Sequence, residues 1–412
     1  MSLAADAATA PPSGRWAALG KICLGIIFAM TPWFSATAIL PELRLHWEFT
    51  TFQAAMMTNG VQVGFVIGAL ASSFTGLPDI VPIRVLMASA AIAAGLLNLA
   101  LLIAPGPEAA VFLRILTGIA LALVYPPAMK LVTTWFIRGR GIALGLVIGG
   151  LTLGSAFPHL IHALTSSVDW RLVVSATSIL SMIAGIIFIL FVSDGPYSNP
   201  TVKFKPSQIG IIVRDKGVAL ANLGYFGHMW ELYAMWGWFL VFMRAALEAN
   251  GLAPIGQASV ITFVVIASGA FGCVAGGWLA DRIGRTATTA LMMIVSGLCA
   301  IVIGFAFDGP LWALIMISVI WGVSVIGDSA QFSAMVTEIA DNRLIGTALA
   351  FQMGIGFALT VVSIQLLPTF VGWMGSWQWA FLFLVPGPLI GVIAMLALRR
   401  LPVARKIAQG LR

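Results

Sequence analysis

LADRIGR, residues 279–285, is a short charged loop between two long apolar runs, 256–279 and 286–307. LPDIVPIR, residues 77–84, sits the same way between the runs 51–75 and 83–104. Asp79 and Asp281 therefore lie about half the chain apart. The echo continues outward from these loops. RGRGIALGLVIGG (138–150) follows the fourth apolar run and NRLIGTALAFQMG (342–354) the tenth. Asp169-Trp170-Arg171 opens the sixth and Trp377-Gln378-Trp379 the twelfth. Two echoing halves in a helical membrane protein point to a secondary transporter with its site between them.

Composition agrees with a membrane setting. Of 412 residues 60% are hydrophobic and 9% charged, with a mean hydropathy of +1.01. Soluble domains carry roughly 25% charged residues. Runs of about 20 apolar residues are long enough to cross a bilayer. Twelve are expected: 17–40, 51–75, 83–104, 110–134, 141–164, 171–192, 217–242, 256–279, 286–307, 310–335, 345–369 and 377–398. The stretch 193–216, with Pro196, Pro200 and Pro206 among four basic residues, reads as a linker. The expected organisation is a polar tail (1–16), a six-helix bundle (17–192), the linker (193–216), a second bundle (217–398) and a basic tail (399–412). The fold class is all-α.

The net charge of +7 reflects topology and implies no nucleic-acid partner. Of the 22 Lys and Arg residues, Arg44, Arg171 and Arg244 fall on one side and Arg114 inside a span. The other 18 share the side of the tails and the linker. The positive-inside rule puts that side in the cytoplasm. Cys23, Cys273 and Cys299 lie far apart in apolar runs, which favours neither disulfides nor zinc. No phosphate-binding G-x-x-x-x-G-K-[ST] loop is present, and no nucleophile–base set of an enzyme. No metal or cofactor is expected.

GGWLADRIGRT (276–286) resembles the loop motif of the major facilitator superfamily, through Gly277, Leu279, Asp281, Arg282, Gly284 and Arg285. The first-half copy keeps Asp79 and places Arg84 one residue out of register. WFSATAILPELRLHW (33–47), ALVYPPAMKLVTTWF (122–136) and GHMWELYAMW (227–236) are similar to the branch of nitrate, nitrite or cyanate porters. The arginines that nitrate porters share in spans 2 and 8 have no counterpart here. The resemblance implies two six-helix bundles rocking about a central cavity. It also implies that Asp281 caps a neighbouring helix, while Arg282 and Arg285 pair with an acid at a helix end, for which Glu338 is the candidate. These contacts would close a cytoplasmic gate.

Several buried polar residues bear on the chemistry. Glu231 sits near mid-span with His228 three residues before it, on one face of span 7. A carboxylate at that depth costs about 2.5 kcal/mol or more by insertion scales, so it faces a cavity or a partner. Trp236 and Trp238 fit an aromatic interface belt. Asp328, with Gln331 one turn on, is the second buried acid, equally suited to proton handling and to packing. Arg114 would bind an anion, pair with an acid or serve the proton pathway. Trp33, Tyr125 and Tyr233 are candidate cavity walls, although ordinary packing explains each alone. His159 and His162 are too isolated for a metal site.

The expected function is proton-coupled uptake of a small polar or anionic organic solute by a monomeric carrier of the bacterial inner membrane. The proton gradient supplies the energy. The alternative is an efflux antiporter for organic cations, held by the same acids and aromatic walls. A transporter-like sensor is the reading from another class.

Overall fold

The computed structural model describes residues 12–137, 139–165, 169–197, 206–252, 255–341 and 343–412. Residues 1–11 of the expected tail, Arg138, and 198–205 of the expected linker lie outside the described residues. Regular structure among the described residues is helical. In chain order the helices are α1 (Arg15–Ala29), α2 (Ser35–Ala38), α3 (Leu40–Trp47), α4 (Thr51–Thr75), α5 (Leu77–Ile80), α6 (Ile83–Leu99), α7 (Pro107–Leu121), α8 (Tyr125–Thr133) and α9 (Arg140–Thr165). They continue as α10 (Arg171–Phe191), α11 (Ile209–Arg214), α12 (Lys216–Ala249), α13 (Ile255–Ile283), α14 (Arg285–Val302), α15 (Leu311–Gly327), α16 (Ser329–Ile339), α17 (Ile345–Met374) and α18 (Pro386–Arg400).

Ten of these segments are long and apolar enough to cross a bilayer by length and composition. Spans 1 and 7 are the exceptions, for opposite reasons. Span 1 breaks after Ala29 and resumes at Ser35, because Pro32 has no N–H to continue the ladder. Span 7 is one unbroken helix, α12, of 34 residues. Its tyrosines, tryptophans, His228 and Glu231 dilute its hydropathy. With these two the molecule has twelve crossings in two pseudo-symmetric six-helix bundles. Arg15 and Arg400 accordingly share one face, termed the near face; the opposite one is the far face.

Local signals fix several helix ends. The Thr50 hydroxyl accepts from Gln53 N–H at 3.2 Å and Gln53 Oε1 accepts from Thr50 N–H at 3.0 Å, a reciprocal cap that starts α4. Asp215 Oδ1 accepts from Gly217 N–H (2.8 Å) and Val218 N–H (3.0 Å) and starts α12. Gly76, at φ 64°, ends α4 in the left-handed region.

The repeat is visible in the packing. Spans 2 and 4 pack together, as do spans 8 and 10; spans 3 and 6 match spans 9 and 12. A Cβ on Gly64 or Gly118 would overlap the carbonyl of Ile115 or Val61. Gly272 and Gly322 meet Val323 and Val265 in the same way. Small residues thus let backbones touch at equivalent places in each half. The bundles meet along two matching seams, α9 on α13 and α4 on α17. In the first seam, a Cβ on Gly145 would lie 3.2 Å from Cys273 O.

Candidate transport site

The break in span 1 leaves carbonyls without helical partners, and Arg114 takes them up. Its guanidinium donates from Nη1 to Pro32 O (2.8 Å), Ser35 Oγ (3.2 Å) and Asn98 Oδ1 (3.2 Å), from Nε to Met57 O (3.1 Å), and from Nη2 to Trp33 O. Asn98 in turn donates to Ser178 Oγ (2.9 Å) and Thr177 Oγ1 (3.1 Å). Arg114 is fully buried, and these acceptors are all neutral. The structure therefore places Arg114 as a clamp on the span 1 break.

That clamp sets the aromatic residues on either side of the break. Trp33 stacks on Tyr233 across the bundle interface, with centroids 5.7 Å apart and planes 18° apart. Phe34 lies parallel to Tyr233 at 6.4 Å and edge-on to Trp236 at 6.0 Å. Phe65 and Phe357 close the cluster, 4.4 Å apart. Three rings come from each bundle, and all six are buried. Trp236 is thus part of the interior and not of an interface belt. Trp238 is buried too, donating from Nε1 to Ile364 O at 2.9 Å. Trp33 Nε1 and Trp236 Nε1 have no protein partner among the described residues. A buried N–H normally has one, so these donors are free for something else. Tyr125, half-buried at the start of α8, lies within electrostatic reach of Tyr225 and Tyr233.

His228 and Glu231 share a helix face but not their partners. Glu231 accepts from Ser296 Oγ at 2.9 Å and from Trp321 Nε1 at 2.8 Å, inside the second bundle. His228 Nδ1 lies 2.9 Å from Asp328 Oδ1, ion-pair distance with angles short of a hydrogen bond. Asp328 occupies the break between α15 and α16. The two acids are within electrostatic reach of each other, and so are Asp328 and Cys273. Gln331 is drawn elsewhere: its Oε1 accepts from Arg285 Nη1 at 2.7 Å.

A cross-bundle cluster near the far face was not singled out by the sequence. His162 Nε2 lies 3.2 Å from Glu42 Oε1, and its Nδ1 lies 2.7 Å from Ser259 Oγ of the other bundle. Arg244, also of the second bundle, approaches Glu42 to 3.9 Å. Burial works to raise the Glu42 pKa. The hydrogen bond and charge of His162, the backbone and Arg244 outweigh it and hold the carboxyl below its ordinary value. Asn59 Nδ2 adds a link across the α4–α17 seam, donating to Gln365 Oε1 at 3.0 Å. The only sequence signal for this cluster was a pair of histidines in an otherwise apolar run.

At the near face the two loops differ. Arg285 grips Glu338 with Nη2–Oε1 at 2.7 Å and Nε–Oε2 at 3.0 Å. Arg282 does not join it; its guanidinium lies 3.8 Å above the Trp278 ring. Exposed Asp281 sits beside the first turn of α9, where a Cβ on Gly141 would come 4.0 Å from its Oδ1. Gly277 faces the same turn, 3.8 Å from Gly141 O by the same measure. Gly284 adopts φ 90° before α14 and lies against the carbonyls of Leu411 and Arg412. In the first bundle Asp79 pairs with Lys130, while Arg84 is exposed.

The chain is similar in sequence to known proteins. The sequence profile described as Major Facilitator Superfamily matches residues 22–362. The MFS-type transporter pynF of Aspergillus niger is 26% identical over 58% of this chain and 54% of its own. The MFS-type transporter opdF of Penicillium oxalicum is 24% identical over 69% of this chain and 66% of its own, so the chain spans one half to two thirds of these relatives. The gallate transporter of Pseudomonas putida is 24% identical over 77% of each chain. Monocarboxylate transporter 13 of Rattus norvegicus is 24% identical over 88% of this chain and 77% of its own. With echoing halves, matched seams and a polar interior between them, this chain belongs to the Major Facilitator Superfamily, whose members are membrane transporters and not enzymes.

Proposed function

We propose that the chain is a proton-coupled carrier taking up small organic anions, aromatic and other monocarboxylates foremost. The observation that carries this reading is the six-ring cluster across the bundle interface, with two buried indole N–H donors free of protein partners. Aromatic faces accommodate a flat ring, and N–H donors in a dry site bind a carboxylate strongly. The names of the gallate and monocarboxylate relatives support the same class. The His228–Asp328 pair offers a proton-handling group beside the path, and Glu231 a second acid behind it. The likeness to nitrate, nitrite and cyanate porters rests on three short stretches and supports no inorganic substrate.

The near face is read as cytoplasmic from the charge count, in a bacterial inner membrane, with the carrier acting as a monomer. The links between Glu42, His162 and Ser259 tie the bundles together at the far face, while the Arg285–Glu338 grip and the approach of Asp281 to α9 hold the near face. The test is uptake into proteoliposomes under an imposed pH gradient, with gallate, lactate and tetraphenylphosphonium as probes. Accumulation of gallate or lactate, abolished by a protonophore, is the expected result. Gradient-driven export of the cation alone would favour efflux, the second reading. That reading draws on the acids Glu231 and Asp328 and on the name of the agnestins efflux protein of Paecilomyces divaricatus, 24% identical over 45% of this chain.

A further inference from the structure

Span 5 carries polar groups that the preceding reading leaves idle. Ser155, His159 and His162 recur at i, i+4 and i+7, so they share one face of α9. All three are buried, His159 at 0% exposure. Ser155 Oγ and both ring nitrogens of His159 have no protein partner among the described residues. An ionisable side chain kept inside a membrane protein without a packing partner asks for a functional reason.

The stripe has an outer end and an inner end. Outside, His162 touches Glu42, whose side chain is 28% exposed. Inside, the next turn of α9 brings Thr152, whose Oγ1 lies 4.0 Å from Cys273 Sγ. Cys273 is within electrostatic reach of Asp328, which holds His228 at 2.9 Å. From Ser155 to His162 the helix advances about 10 Å at 1.5 Å per residue. Glu42 of α3 touches His162, Arg244 of α12 approaches Glu42, and Cys273 of α13 lies beside Thr152, with Asp328, at the head of α16, within electrostatic reach of Cys273. From α1, Cys23 through its carbonyl and the apolar Ile26, Ile27 and Met30 lie against the glycines of α9.

We propose that Glu42, His162, His159 and Ser155 form a proton inlet leading from the far face toward the Asp328–His228 pair. This inference rests on the proton-coupled reading. An ionised Glu42 gathers a proton at the surface and hands it to His162. Each imidazole accepts at one nitrogen and releases from the other, and the serine hydroxyl accepts one proton as it gives up another. One proton enters at Glu42, one arrives at Asp328, and the relay residues end as they began. His159 offers two ring nitrogens without a protein partner among the described residues, whereas His162 Nδ1 must leave Ser259 to pass its proton inward.

The experiment uses the purified full chain in proteoliposomes holding a trapped pH-sensitive dye, with gallate or lactate as probe, whichever the native protein takes up. Protons moved per solute are compared for native protein, His159→Leu and Ser155→Ala. Solute exchange at equal pH on both sides serves as the check on folding. The expected outcome is a proton-to-solute ratio at least tenfold lower in His159→Leu and several-fold lower in Ser155→Ala. A native ratio in His159→Leu overturns the inlet while leaving the coupled-carrier reading intact. If His159→Leu does not exchange solute, Ser155→Ala decides, and a native ratio there overturns the inlet. Absence of proton movement in the native protein overturns both readings.

Discussion

Arg114 and Glu231 are buried ionisable groups, one in each bundle, and they are held in contrasting ways. Arg114 donates to three backbone carbonyls and two side chains, and those carbonyls come from the broken stretch of span 1 and from α4. Removing it would release the ties that hold the broken stretch of span 1 to α4 and to Asn98. Glu231 is held by two side-chain donors, Ser296 and Trp321, on intact helices. Its carboxyl can gain or lose a proton without any helix losing its shape. Arg114 ties separate segments together, whereas on the proposed function Glu231 would be the group left to exchange a proton.

Arg114→Leu tests the architectural side and should have the largest effect. Each buried hydrogen bond from a charged donor contributes about 1.5–3 kcal/mol, and several would be lost together. The variant should express poorly, melt well below the native protein and neither bind nor exchange solute. A native melting temperature would show that span 1 keeps its break without the clamp.

Glu231→Gln tests the other side. Glutamine keeps the volume, its oxygen can accept from Trp321 and its amide can donate to a reoriented Ser296 hydroxyl. Stability should change by less than about 1 kcal/mol, while pH-driven accumulation should fall at least tenfold. Glu231→Ala leaves a cavity and two stranded donors and should also lose about 2–5 kcal/mol of stability. If the Gln variant accumulates solute normally, Glu231 belongs with Arg114 as a packing residue, and Asp328→Asn becomes the next variant to assay.

The far-face cluster gives a pH-dependent version of the contrast. A carboxyl held below its ordinary value stabilises its contacts at every pH above that value. The contribution disappears as pH falls through the depressed one. Reactivity of a cysteine at Asn59 toward a far-side thiol reagent should therefore stay flat from neutral pH to about 5. It should rise only below the ordinary glutamate value of about 4.3.

The smallest effect is expected in the first-half loop. The Asp79–Lys130 pair is about a quarter exposed on both sides, and such pairs contribute about 0.2–1 kcal/mol. Lys130→Ala should shift the melting temperature by a degree or so. Glu338→Gln, which loosens a two-pronged arginine contact, should raise labelling of a cysteine at Ser333 from the near face.

The division between architecture and chemistry also explains what could be read from sequence. Apolar length and the paired loops gave the twelve crossings and the repeat, because hydrocarbon imposes one rule on every span. Pro32 marked the weak point of span 1, but nothing local told that Arg114, more than eighty residues on, would repair it. His228 and Glu231 were legible as a pair on one face. Their partners were not, because Ser296, Trp321 and Asp328 reach them only once the second bundle has closed. Gln331 and Asp328, one turn apart, were read as companions, yet a long arginine from the loop claims Gln331. His162 stands isolated in sequence because its partners, Glu42 and Ser259, belong to other helices.

Span 7 runs without interruption from Lys216 to Ala249, so it behaves mechanically as a stiff rod. His228 at the acid pair, Tyr233 and Trp236 in the ring cluster, and Arg244 beside Glu42 all ride on it. His228 and Arg244 are separated by about 24 Å along its axis. A tilt of about 10° pivoting at His228 would swing Arg244 through about 4 Å, as far as its present 3.9 Å separation from Glu42. A small displacement seeded at the acid pair is thereby magnified at the far mouth, with leverage that the broken first span, lacking a continuous shaft, has no means to supply.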